Sequence, residues 1–164
     1  MQEIDAHWMR LALREAQQAA EEGEIPVGCL IVAGARPLGR GRNRVEALQD
    51  PTAHAEMLAI SAAASALGGW RLLGTTAYVT LEPCLMCMGA FYQARVERIV
   101  YGAAEPKFGA CGSRLDLTRS PGLNHTLRVE SGVLAEPSTQ LLRQFFRRLR
   151  NAAGDDASAG VAPG

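Results

Sequence analysis

A chain of 164 residues with 48% hydrophobic and 5% aromatic side chains has the size and apolar content of one ordinary globular domain, able to bury a core without staples. Its 17 basic residues balance 17 acidic ones, so any nucleic-acid site has to be a local patch, not a global basic field. Four cysteines, two in a C-x-x-C pair and two isolated, exclude a disulfide framework, and no apolar run is long enough to span a bilayer. The opening Met1-Gln2-Glu3-Ile4-Asp5 has neither a basic nor an apolar leader region, and a cytoplasmic protein is expected.

From Asp5 to Glu22, Trp8, Leu11, Ala12, Ala16 and Ala19 recur at helical spacing, and Gly23 supplies a stop. Ile25 to Ala33 is a short β-branched apolar run with Pro26 at its start, which predicts a buried strand. A turn near Gly34 to Pro37 leads into a second strand through Gly39 and Gly41 towards Asn43. Asp50-Pro51-Thr52 offers turn chemistry and a cap for an Ala-rich helix over Ala53 to Leu67, closed by Gly68-Gly69. Thr75 to Leu81 reads as a strand, Cys84 to Ala94 as a helix after Pro83, and Arg98 to Gly102 as another strand. The alternation predicts a sheet between helices, with parallel neighbours joined by right-handed crossovers.

Ala103 to His125 is too broken by Gly and Pro for one regular element, and loops of this length in compact domains are usually functional or disordered. Thr126 to Val133 is expected as a last strand and Ser138 to Arg150 as a helix. Residues 151–164, rich in Ala, Gly, Asp and Pro, are expected to be a disordered tail behind a single domain over 1–150.

Chemistry concentrates in His54-Ala55-Glu56 and Pro83-Cys84-Leu85-Met86-Cys87. One imidazole and two thiols make three ligands suited to zinc, and Glu56 is not needed as a fourth. Three protein ligands with an open fourth position mark a catalytic zinc, which acidifies a water there to a pKa of about 7. Cys84 and Cys87, three apart, share one helix face. His54 and Glu56, two apart, are about 200° apart around a helix and can converge only beyond its end. Both motifs are therefore expected at helix N-termini, where the dipole favours thiolate. A redox dithiol leaves His54 and Glu56 without a role. A structural zinc knuckle needs a fourth ligand from Cys29, Cys111, His7 or His125, none at metal spacing.

Elsewhere the signals are weaker. Cys29 reads as a small hydrophobe in a strand; Cys111 is either packed or near the site. Phe145 and Phe146 on a helix are ordinarily core. Lys107 is the only lysine among the 17 basic residues, and arginines cluster at 36–44 and 143–150, either as a phosphate-gripping edge or as a solvated face.

H-x-E followed by P-C-x-x-C resembles the signature of zinc deaminases. Taken with Asp50 to Glu56, Tyr78 to Cys87, Lys107 to Ser113 and Pro121 to His125, the chain from Trp8 to Arg148 resembles the bacterial tRNA-specific adenosine deaminases. The resemblance implies an α/β fold of the cytidine deaminase-like kind, a three-layer α/β/α sandwich with a mixed central sheet of about five strands. It implies one zinc per subunit on His54, Cys84 and Cys87, and Glu56 as the catalytic proton shuttle. Asn43 is implied to bond the flipped purine, and Glu105 to lie near the ribose of the preceding nucleotide. Lys107, Asn124, Phe145 and Arg147 are implied to contact the anticodon stem-loop. The implied reaction converts adenosine to inosine at the wobble position of an arginine tRNA, in a homodimer. Glu105 stands where the family usually has aspartate, and Phe108 and Met88 replace small residues. The alternative reading is a deaminase of a free nucleobase or nucleoside, of the guanine or cytosine type, which needs a closed lid in place of an open basic rim; a zinc-binding module without activity is the third.

Overall fold

The structure, a computed structural model, describes residues 2–119, 122–123 and 125–159, with side chains to residue 154. Five strands, β1 (Gly28–Ala33), β2 (Arg36–Arg42), β3 (Thr75–Leu81), β4 (Arg98–Ala103) and β5 (Arg128–Glu130), form one sheet in the order β2-β1-β3-β4-β5. β1 runs antiparallel to both its neighbours, whereas β3, β4 and β5 are parallel. The sheet is thus mixed and five-stranded, as the resemblance implies, with the parallel crossover arrangement confined to β3, β4 and β5. A tight turn at Gly34 makes β1 and β2 a hairpin, a connection that only antiparallel strands allow.

Period-two alternation sorts the core into two layers. Leu30, Val32, Tyr78 and Val100 point to one face, where they meet Trp8, Met9 and Ala12 of α1 (Gln2–Glu21). Cys29, Ile31, Ala77, Val79 and Ile99 point to the other, against Ala55, Ala59 and Ala63 of α3 (Ala55–Leu67) and Met88 and Phe91 of α4 (Leu85–Ala94). With α5 (Ala135–Ala159) packed on β4, β3 and α1, three α/β/α layers result.

The seating of α3 follows from small residues on both sides. A Cβ on Gly39 would overlap the carbonyl of Ala59, and one on Gly41 that of Ala55. Alternate glycines on β2 thus let the Ala55, Ala59 and Ala63 stripe lie directly on strand backbone.

Three local expectations change. The cap of α3 is His54, in extended backbone with no side-chain cap bond, while Asp50 instead closes its own turn onto the Thr52 N–H and hydroxyl at 2.8 and 2.7 Å. A four-residue helix, α2 (Val45–Leu48), appears where no periodicity could signal it, because the buried Glu24 accepts from the N–H groups of Glu46 (3.2 Å) and Ala47 (2.7 Å) across the fold. Residues 151–159, expected as disordered tail, continue α5 instead. Extending a helix already docked needs no new nucleus, and Gly154 is the only strong helix breaker in that stretch. Residues 160–164 lie outside the described residues.

In the first turn of α1, Asp5 is held by both terminal nitrogens of Arg98 (2.8 Å each) and by the Tyr78 hydroxyl (2.8 Å). The Arg98 guanidinium holds its carboxyl below the usual range against the opposing effect of burial. A depressed folded pKa gives stability that is fully present above the unfolded value of about 3.9 and is lost as pH falls through the lower folded value. Asp5→Ala is expected to cost about 3 kcal/mol at neutral pH, the scale for breaking a buried pair. Urea unfolding at pH 7 and pH 3 checks this: the deficit should shrink at the lower pH, and an equal deficit at both would refute the ionic account.

Candidate metal centre and substrate groove

α3 and α4 direct their N-termini at one point, with His54 and Cys84 as the respective N-caps. His54 Nδ1 lies 3.7 Å from Cys84 Sγ and 3.6 Å from Cys87 Sγ. Zinc–sulfur and zinc–nitrogen bonds of about 2.3 and 2.0 Å at the tetrahedral angle give nitrogen–sulfur edges of about 3.5 Å, so the three donors already stand at the spacing zinc requires. Among the described residues they are the one cluster of this kind, and no fourth protein ligand joins them. All four cysteines are free, so the C-x-x-C pair is not a disulfide.

The electrostatics point the same way. A hydrogen bond from the Cys87 thiol pulls Cys84 down to about 4, and the reciprocal bond together with burial pushes Cys87 up. The bond to Cys84 raises His54, against the cost of burial.

Glu56, two residues into α3, is 3% exposed, and its Oε2 is buried without a hydrogen-bond partner. Burial raises its carboxyl to about 7, more than its own backbone N–H and His54 can offset. A desolvated carboxyl with an unspent oxygen beside three metal donors is equipped to take a proton and return it.

A second buried carboxylate, Glu82, organises the ground next to this centre; in sequence it stands out only as part of the Tyr78 to Cys87 segment, just before Pro83. Glu82 accepts from the N–H groups of Glu105 (2.9 Å), Cys111 (2.9 Å) and Ser113 (3.1 Å) and from the Ser113 hydroxyl. Burial pushes it up, but those bonds outweigh burial and hold it below the usual range. Cys84 pairs with Gly109 in an antiparallel bridge, and the Ala110 N–H donates to the Pro83 carbonyl at 2.9 Å. Residues 105–113 are thereby fastened to the start of α4. Cys111 packs its sulfur 3.3 Å from that of Met88, the residue after the donor Cys87, so it is both packed and close to the centre.

Of the other residues singled out, Asn43 is buried just after β2, with its N–H on the Val27 carbonyl at 3.1 Å. Its neighbour Arg44 donates its N–H to the Ala53 carbonyl, tying this segment to the residue before His54. Glu105, Lys107 and Arg147 come together along a groove of about 630 Å³ between the ends of β3 and β4, the following loop and α5. Arg143, Phe146 and Arg150 line it as well. Phe145 does not: it is half-buried and meets Phe146 edge-on, with centroids 5.4 Å apart. One step along α5 moves a side chain by about 100°, so the residue facing the groove is Phe146, 38% exposed. Asn124 lies outside the described residues.

A family model for the cytidine and deoxycytidylate deaminase zinc-binding region matches residues 2–103. The chain is 47% identical over 146 residues to a tRNA-specific adenosine deaminase of Bacillus subtilis, covering 89% of this chain and 91% of that one. Over 149 residues it is 48% identical to a tRNA-specific adenosine deaminase of Haemophilus influenzae, covering 90% and 86%. A solved structure from a study of A-to-I editing by tRNA:A34 deaminases at the wobble position of transfer RNA superposes with a TM-score of 0.80 at 44% identity, covering 83% of this chain and 99% of the other. A guanine deaminase from Nitrosomonas europaea shares the fold, at TM-score 0.70 and 22% identity over 84% and 81%.

Proposed function

Since the chain belongs to the zinc-binding cytidine and deoxycytidylate deaminase family and, within it, to the tRNA-specific adenosine deaminases, we propose that it hydrolyses adenosine to inosine at the wobble position of a tRNA anticodon loop. The observation that carries this reading is the buried, unpaired oxygen of Glu56 beside a three-donor set that leaves the metal's fourth place open.

His54 Nδ1 and the sulfurs of Cys84 and Cys87 hold the zinc, one per chain. Bound there, zinc supplies the Lewis acidity that brings the pKa of a water to about 7. Glu56 removes a proton from the attacking water and delivers it to N1 of the purine as C6 becomes tetrahedral. It then carries the second proton to the departing amine, so that the C6–N bond breaks with loss of ammonia and the C6 carbonyl forms. Asn43 presents an amide suited to a purine edge. Glu105, Lys107, Asn124 and Arg147 are assigned to the anticodon loop, with Phe146 facing the groove in the place expected of Phe145, and the loop's unpaired bases make extrusion of the target inexpensive. An arginine tRNA is the substrate proposed. No described helix is long and apolar enough to cross a membrane, and we place the enzyme in the cytoplasm with its tRNA.

We also propose a homodimer, joined through the outer faces of α3 and α4. The only charged residue on either helix is Glu56, which is buried; the exposed positions are Ser61, Ala62, Ser65, Ala66, Leu67, Leu85, Gly89 and Gln93. Helix faces without charge are characteristic of covered surfaces. Light scattering should give twice the chain mass of 17.5 kDa, and a monomer at micromolar concentration would exclude this pairing.

The zinc-loaded protein should form inosine from an anticodon stem-loop carrying adenosine at the wobble position and release no ammonia from guanine or cytosine. Ammonia from a free base with no inosine from the stem-loop would overturn the proposal in favour of a small-molecule deaminase.

A further inference from the structure

Phe108 is 70% exposed, more than any other large hydrophobic among the described residues; Leu73 follows at 61%. An aromatic ring standing in water forgoes most of the free energy of burial, and exposure of this degree on an otherwise well-anchored segment calls for a partner.

The anchoring is what distinguishes this ring from a side chain on a loose loop. Gly109 donates its N–H to the Glu105 carbonyl at 2.8 Å, closing the turn that carries Phe108, and the N–H of Glu105 is fixed on Glu82. Lys107 donates its N–H to the Glu105 carboxylate at 2.9 Å. One residue beyond Phe108, Gly109 pairs with Cys84, the metal donor at the start of α4. Stepping outward from that bridge, the next residue on this segment is Phe108. Its chain neighbour Lys107 lines the groove whose walls also carry Arg143, Arg147 and Arg150.

We propose that Phe108 is a stacking platform for an unpaired nucleobase next to the target adenosine, a specificity-determining subsite built into the rim of the metal centre. The inference rests on the reading of the substrate as a tRNA loop. A rigidly held aromatic beside a cationic groove is the arrangement that recognises single-stranded nucleic acid: the ring takes the face of a base and the cations take the phosphates. Because Glu82 fixes the turn before substrate arrives, little loop entropy is lost on binding. Any base has a π-face, so the subsite selects for a flanking base that is unpaired and accessible, whatever its identity.

The test uses the zinc-loaded full chain, a fluorescent anticodon stem-loop, and Phe108→Ala, Phe108→Leu and Phe108→Trp. Stacking of one base on an aromatic ring spans roughly 5- to 150-fold in affinity, so Phe108→Ala should weaken the stem-loop Kd by about that range and raise KM more than it lowers kcat. Phe108→Trp should restore both, and its additional emission over the wild-type tryptophans should be quenched by the stem-loop. Phe108→Leu should behave as Phe108→Ala. The Kd is read in the Glu56→Ala background, which binds zinc but does not turn the stem-loop over, so failure of the reaction and failure of the stacking subsite are distinguishable. A Kd within twofold of wild type for Phe108→Ala overturns the inference. So does rescue by Leu as complete as by Trp, or Trp emission that responds to protein concentration instead of RNA, since either means that a second protein surface covers the ring.

Discussion

Glu56→Ala is expected to bind zinc stoichiometrically, fold as the parent does, and lose deamination by a factor of about 10² to 10⁴, the usual range for a positioned acid–base group. On the barrier that is roughly 3 to 5 kcal/mol. The expectation comes from the geometry of one side chain. Glu56 stands outside the donor set, so its removal takes nothing from the metal's coordination. Its Oε2 is buried with no hydrogen-bond partner, so folding gains little from it. Truncation should leave the melting temperature unchanged or raise it, as expected where a fold keeps an unfavourable group for its chemistry. Metal analysis, a melting curve and inosine formation on a stem-loop make the check. Activity retained within an order of magnitude would remove Glu56 from the mechanism, and a variant that lost zinc would make it a ligand.

The other large effect is on the metal itself. Wild-type protein should carry one zinc per chain, whereas Cys87→Ala should retain less than a tenth of an equivalent and no activity. Cys87 is fully buried in the first turn of α4, where water cannot easily replace the missing sulfur. Stripping zinc from the wild type with a chelator should lower its melting temperature by about 10 °C. That figure corresponds to roughly 4 kcal/mol of binding linkage at a thousandfold excess over Kd. Zinc joins the N-termini of two helices that otherwise meet through few side chains, so the loss should concentrate at residues 54–58 and 84–88 in hydrogen exchange. A full equivalent of zinc on Cys87→Ala, or a disulfide between Cys84 and Cys87 in active protein, would refute the assignment.

The donor set was legible because two short motifs fix both the residue types and their spacing, and helix geometry then dictates where they must sit. β3 was readable at Thr75–Leu81 for a similar reason: a β-branched run ends at a proline that cannot continue a central strand. What escaped depends on contacts between distant segments. α2 exists because Glu24 reaches it from more than twenty residues away, and Glu82 became a hub only once Glu105, Cys111 and Ser113 folded round it. Periodicity could place Phe145 and Phe146 on a helix but not say which of them faces the groove, since that depends on how α5 rotates against β4. The mixed character of the sheet was legible only through the resemblance, because an apolar strand buried on both faces, as β1 is, has the same residue pattern in either orientation.

The imidazole of His54 is positioned from behind by a contact only one backbone thick. Since α3 rests on Gly39 and Gly41 with nothing between, even a single added methyl on the edge strand has to displace the helix, and with it the one nitrogen that completes the metal's coordination. Zinc affinity in this protein is therefore a gauge of how closely an edge strand and a helix can approach, and a change at Gly39, packed against Ala59 and Ala63 about one and a half to two and a half turns from His54, is expected to be detected first as metal that dissociates too easily.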